Sequence, residues 1–154
     1  MITKQTVAII GATGKMGSAI ARKLAKGNYR ILLFGKREAA LQELQAAIKS
    51  DYPYADIEPI TCSYAASWEA DIILLAVPFA AEKEIAEKIR EVANQKIVIS
   101  ISSAAEELQQ LLPHSKVIKA FNLLSADEVS LTGNDAEALT VVAELLQTSS
   151  LHSI

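Results

Sequence analysis

Seven residues near the amino end, Gly11-Ala12-Thr13-Gly14-Lys15-Met16-Gly17, lie between an apolar run, Val7-Ala8-Ile9-Ile10, and an alanine-rich stretch in which Ile20 and Leu24 are four apart. A strand, a glycine-rich turn and a helix in that order constrain the fold more than any other feature of the chain. Glycine reaches positive φ and has no side chain. Backbone N–H groups in such a turn can therefore approach an anion closely, and the helix dipole favours its negative charge. Gly11, Gly14 and Gly17 follow a variant of the dinucleotide fingerprint, with Ala12 where a stricter version could hold another glycine. A turn whose glycines serve packing alone would explain the small residues but not the order of the segments. The pyrophosphate of a dinucleotide is the expected ligand. A kinase-type phosphate loop is excluded, because Met16 follows Lys15 where Ser or Thr is needed, and Ile9 stands where that loop needs its first glycine.

Strand-like and helix-like segments alternate along the rest of the chain. Ile31 to Phe34 reads as a second strand, and Glu38 to Lys49 as a helix with Leu41, Leu44 and Ile48 on one face. Ile57 to Cys62 reads as a short strand, followed by an irregular stretch through Trp68. Ile72 to Val77 is apolar on both faces and so belongs in the centre of a parallel sheet. Phe79 to Val92 is an amphipathic helix, Lys96 to Ile101 a strand, and Ser103 to Leu112 a helix opened by a capping box of Ser103 and Glu106. Val117 to Phe121 is a strand, Asp135 to Gln147 a helix, and Leu151 to Ile154 a candidate last strand. The expected architecture is α/β: a doubly wound, mostly parallel sheet of the NAD(P)-binding Rossmann kind, with residues 1–154 forming a single domain.

Bulk properties narrow the function. Hydrophobic residues at 51% and charged residues at 21% suit a globular chain, and 154 residues leave no room for a separate substrate domain. A net charge of −3, no basic run and one tryptophan argue against nucleic acid as a partner. The longest apolar run, Ile72 to Ala81, is broken by Pro78 and is too short to span a membrane. The start of the chain has no signal-peptide core, and a lone Cys62 suits a reducing compartment, so a cytoplasmic location is expected. Cys62 itself reads as a small buried apolar residue. His114 lies in a turn and His152 near the end, neither at metal-ligand spacing, and no metal site is assigned.

The end of the second strand distinguishes NAD from NADP. About 20 residues beyond the glycines, an acid favours the ribose diol and a base accommodates a 2′-phosphate. This chain has Gly35-Lys36-Arg37 there. A guanidinium fork and an ammonium suit a dianion, which points to NADP, and Glu38 beside them is explained by the helix dipole. Val77-Pro78 ends the central strand at the ligand-binding edge, as does Ala120 before Asn122. Asn122 is either a turn residue or a partner for a carboxamide. No tyrosine has a lysine four residues on, which removes the acid–base pair of short-chain dehydrogenases; no catalytic side chain is assigned.

These segments together resemble the family of NADP oxidoreductases dependent on the deazaflavin coenzyme F420, and are similar also to the cytosolic reductase domain of the STEAP metalloreductases. The matching pieces include Val7 to Gly17, Gly35 to Arg37, Leu75 to Pro78, Lys96 to Ile101, Ser103 to Leu108, Val117 to Asn122 and Gly133 to Ala138. The resemblance implies that Thr13, Gly14, Lys15 and Met16 hold the pyrophosphate of NADP, Lys36 and Arg37 its 2′-phosphate, and Val77, Pro78 and Ala120 the nicotinamide side. Gly11 and Ala76 adjoin these groups and count with the cofactor-binding residues. It also implies hydride exchange with a deazaflavin or flavin-like acceptor. Three stretches that shape the acceptor side in the family are short here, which leaves a non-catalytic NADP(H) sensor as the alternative. A homodimer would complete the pocket, although no motif dictates one.

Overall fold

The computed structural model describes residues 5–101, 105–121, 130–146 and 150–153. In chain order the elements are β1 (Gln5–Ile10), α1 (Lys15–Ala25), β2 (Tyr29–Phe34), α2 (Glu38–Asp51), β3 (Asp56–Pro59), α3 (Ser63–Glu69) and β4 (Ile72–Leu75). They continue with α4 (Phe79–Ile89), β5 (Ile97–Ser100), α5 (Ala105–Leu111), β6 (Lys116–Phe121), β7 (Ser130–Gly133), α6 (Ala136–Leu146) and β8 (Ser150–Ser153). One sheet holds all eight strands in the order β3-β2-β1-β4-β5-β6-β7-β8. The first six are parallel, β7 runs antiparallel to β6, and β8 is parallel to β7. The order reverses between β1 and β4, the switch point where open α/β sheets leave a crevice for ligands.

Every residue of β4 and β5 is buried, as a central strand covered on both faces requires. Alternate residues feed two cores. Ile9, Leu33, Leu74 and Ile99 pack with Ile20 and Leu24 of α1, Leu41 of α2 and Val142 of α6. Ile10, Leu32, Leu75 and Val98 face the other way, against Ala66 of α3, Ala86 and Ile89 of α4 and Leu108 of α5. Each such aliphatic side chain contributes about 1.5–3 kcal/mol on burial, and slipping one strand by a residue would exchange its two side-chain sets between the cores and mismatch the packing of both.

The amino edge of the sheet is closed by polar ties. Thr6 N–H donates to Asp71 Oδ2 at 2.9 Å, and Asp71 N–H to Thr6 O at 2.8 Å. Lys96 Nζ donates to Ser67 O at 2.5 Å. Partial burial lowers the Lys96 ammonium from the usual lysine range, opposed by the Asp71 charge. The carboxyl edge carries the glycine turn instead.

Beyond shifts of one to three residues at the ends of other elements, the structure departs from the sequence reading as follows. The stretch around Trp68 is helical as α3, which buries Ala66, with Ala70 buried at its C-cap. Alanine is too small to register as periodicity. The preceding strand ends at Pro59, which leaves Cys62 exposed at the N-cap of α3 rather than buried. β7 is an additional strand whose one apolar core residue is Leu131. The candidate last strand begins one residue earlier, as Ser150–Ser153. The capping box at Ser103 and the side chain of Asn122 lie outside the described residues. Among the described residues, no helix is long and apolar enough to cross a membrane.

Candidate functional site

Strand register places the predicted residues on one rim. Phe34, Ile10, Leu75, Ser100 and Lys119 form a continuous row across β2, β1, β4, β5 and β6. One residue further along each strand come Gly35, Gly11, Ala76, Ile101 and Ala120. Gly11 N–H and Ala12 N–H both donate to Phe34 O, at 2.9 and 3.0 Å, and Ala76 N–H donates to Ile10 O at 2.8 Å. The turn is thus pinned to the strands on either side of β1.

The three glycines are required for different reasons. Gly11 has φ +85°, and an added Cβ would lie 2.5 Å from Ala76 O and 2.7 Å from Val77 Cγ1. At Gly17 a Cβ would fall onto Gly11 O, with Ala12 Cα 2.9 Å away. Packing alone demands both. Gly14 is different: its φ of −72° suits any residue, and a Cβ there would meet only Gly11 O, at an ordinary 3.4 Å. Nothing within the described fold requires glycine at position 14; it leaves an open approach to the first turn of α1.

That turn is electrostatically unfinished. Gly14 caps α1 without a side-chain hydrogen bond, the first turn has no acid, and Ser18 N–H is the first to find a helical acceptor, Gly14 O at 2.9 Å. The N–H groups of Lys15, Met16 and Gly17 precede it and have no helical acceptor. α2, α4 and α6, by contrast, carry Glu38, Glu82 and Glu137 in their first turns. Roughly half a positive charge is therefore concentrated at the start of α1, with the exposed Lys15 ammonium added to it. An anion is the natural complement. Met16 packs on the core from this turn, and the Thr13 side chain reaches β2's end, its Oγ1 3.3 Å from where a Gly35 Cβ would be.

Lys36 and Arg37 follow Gly35 on the same edge, both exposed. Arg37 is the N-cap residue of α2, with extended backbone and no side-chain cap bond. Across the switch point, Val77 is half-buried beside Gly11, while Pro78 is exposed and caps α4; the N–H groups of Ala81 and Glu82 donate to its carbonyl at 3.0 and 2.9 Å. Ala120 reaches the rim through its backbone. Its methyl is 4% exposed and packs into the core shared with Ile118 and Leu131.

A buried pair at this edge escaped the sequence reading. Ser100 Oγ donates to Glu82 Oε2 at 2.9 Å, and both residues are fully buried. The bond ties the first turn of α4 to the end of β5, spanning the end of β4. The signal was present: Glu82 is on the same helical stripe as the buried Ala86 and Ile89.

Comparison with known proteins identifies the family. The model of the family "NADP oxidoreductase coenzyme F420-dependent" matches residues 6–104. An F420-dependent NADP reductase of Methanocaldococcus jannaschii is 30% identical over 174 residues, an alignment covering 90% of this chain and 77% of the relative. A proposed F420-dependent NADP reductase from Arthrobacter sp. superposes with a TM-score of 0.77 at 17% identity, over 99% of this chain and 84% of that one. Pyrroline carboxylate reductase of Plasmodium falciparum, solved with NADP bound, has a TM-score of 0.74 at 16% identity over 100% of this chain; this chain spans 59% of that protein's length. At such identities the two superpositions bear on the fold.

Proposed function

This chain belongs to the family of coenzyme F420-dependent NADP oxidoreductases, and from that premise we propose that it binds NADP(H) along the rim from Gly35 to Ala120 and exchanges hydride with a deazaflavin or flavin-like acceptor. Gly14 carries the reading: it is the glycine that packing does not require, and it opens onto an uncapped helix start with no acid of its own. The negative charge of a coenzyme pyrophosphate complements that helix start. In this reading Gly11, Thr13, Gly14, Lys15 and Met16 hold the pyrophosphate, and Lys36 and Arg37 grip the 2′-phosphate. Ala76, Val77, Pro78 and Ala120 border the nicotinamide.

When bound, the coenzyme supplies the hydride chemistry. The protein's part is to fix distance and ring orientation and to keep water from one face, and no side chain is assigned as acid or base. The second reading is a sensor that binds NADP(H) without turnover.

Titration with NADPH and NADH tests the coenzyme assignment. Arg37→Ala should weaken NADPH by about 1.5–3 kcal/mol, the range for hydrogen bonds to charged groups, and leave NADH nearly unchanged. Equal losses for both would remove the 2′-phosphate contact from the scheme. NADPH oxidation measured with deazaflavin and flavin acceptors distinguishes the enzyme from the sensor, which would bind tightly and reduce none of them.

A further inference from the structure

The segment Ala76-Val77-Pro78 is fastened at both ends. Ala76 N–H donates to Ile10 O at 2.8 Å where the segment leaves β4, and Pro78 O accepts from the N–H groups of Ala81 and Glu82, at 3.0 and 2.9 Å, where it enters α4. A third tie closes the ring. The Glu82 carboxylate accepts from the Ser100 hydroxyl at 2.9 Å, and Ser100 is the register partner of Leu75, the residue just before the segment. From Leu75 through the segment to Glu82, across to Ser100 and back to Leu75, the contacts form a closed loop.

This loop abuts the glycine turn. A Cβ at Gly11 would lie 2.5 Å from Ala76 O and 2.7 Å from Val77 Cγ1, so the segment has little room to move toward it. Stability gives no reason for the third tie to be polar. Glu82 and Ser100 are both 0% exposed, and a buried carboxylate loses hydration that hydrogen bonding only partly returns. Apolar groups of the same shape in both places would hold the fold about as well. A hydrogen bond is directional where apolar contact is not, and it fixes where the first turn of α4 sits along β5.

We propose that Glu82 and Ser100 are a positioning pair: they hold residues 76–78 at a fixed height against the glycine turn, and so hold the nicotinamide ring in one orientation for hydride exchange. The role rests on the coenzyme reading, in which this segment borders the nicotinamide. Both side chains are sealed from the rim, so they act through the segment and not on the ring.

Time-resolved fluorescence anisotropy of NADPH bound to the full chain reads the ring directly, and the affinity of adenosine 2′,5′-bisphosphate reads the other half of the coenzyme. In the wild type the reduced ring should tumble only with the protein. Ser100→Ala should add a fast local decay and weaken NADPH several-fold, while the bisphosphate binds as before. Glu82→Met combined with Ser100→Ala, which leaves no orphaned carboxylate, should do the same at near wild-type stability. Asp135→Ala removes the acceptor of Ala138 N–H at the start of α6, toward the opposite edge of the sheet, and should cost stability without freeing the ring. A ring already mobile in the wild type, one as rigid in both Ser100 variants as in the wild type, or one freed equally by Asp135→Ala would overturn the pair's role. Wild-type protein that binds neither ligand would overturn the coenzyme reading, and this role with it.

Discussion

Replacing Gly14 with alanine should weaken coenzyme binding while sparing the fold. The backbone at Gly14 has φ −72°, which alanine adopts without strain, and the new methyl would rest 3.4 Å from Gly11 O, an ordinary contact. The folding penalty is limited to the poorer N-cap character of alanine, about 0.5–1 kcal/mol. The same methyl stands where a pyrophosphate must approach the first turn of α1. Displacing the phosphate from even one backbone N–H removes a charge-assisted hydrogen bond, about 1.5–3 kcal/mol or roughly 10–150-fold in NADPH affinity. Gly17→Ala is the control, since its methyl would fall onto Gly11 O and force α1 away from the turn, an overpacking cost of about 1–3 kcal/mol or more. Urea unfolding with NADPH fluorescence titration measures both quantities for each variant. A Gly14→Ala protein that binds NADPH like wild type, or whose unfolding midpoint falls as far as that of Gly17→Ala, refutes the argument.

Three further outcomes are expected. Ser100→Ala withdraws a donor from the fully buried Glu82 carboxylate and should lower stability by about 1.5–3 kcal/mol in urea unfolding; a loss within error would mean that the bond adds nothing to the fold. Asp135→Ala removes the carboxylate that accepts Ala138 N–H at 2.8 Å at the start of α6, a cap of about 1 kcal/mol checked by the same method. Tyr29 has a raised phenol pKa in the folded state, from burial first and Glu144 second. Above the ordinary phenol range the unfolded chain therefore gives up this proton more readily, and stability falls as pH rises. Tyr29→Phe should remove that alkaline slope, and identical pH profiles for the two proteins would contradict the assignment.

Legibility in the sequence followed the range of the interactions. Ile72 to Leu75, apolar on both faces, could lie only in the middle of a covered sheet, and it pairs with β1 and β5 there. Ile20 and Leu24 announced α1, and Leu41, Leu44 and Ile48 announced α2, because burial at helical spacing is visible in a short window. α3 and β7 were not visible in that way. The first buries alanines too small to set a pattern, and the second is a four-residue strand defined by its neighbours in the sheet.

The same division runs through the candidate site. Glycines at 11, 14 and 17, and the Lys36-Arg37 pair after the second strand, are properties of the chain itself, and with the alternation of strands and helices they determined the α/β class and the expected ligand chemistry. Only the tertiary structure decided which glycine packing leaves unexplained, that Cys62 faces solvent, and that Glu82 and Ser100 meet out of contact with water. The physical reason is that periodicity records whether a residue is buried, whereas the identity of its neighbours is set by strand order and register. Those bring residues 18 positions apart, such as Glu82 and Ser100, within one hydrogen bond.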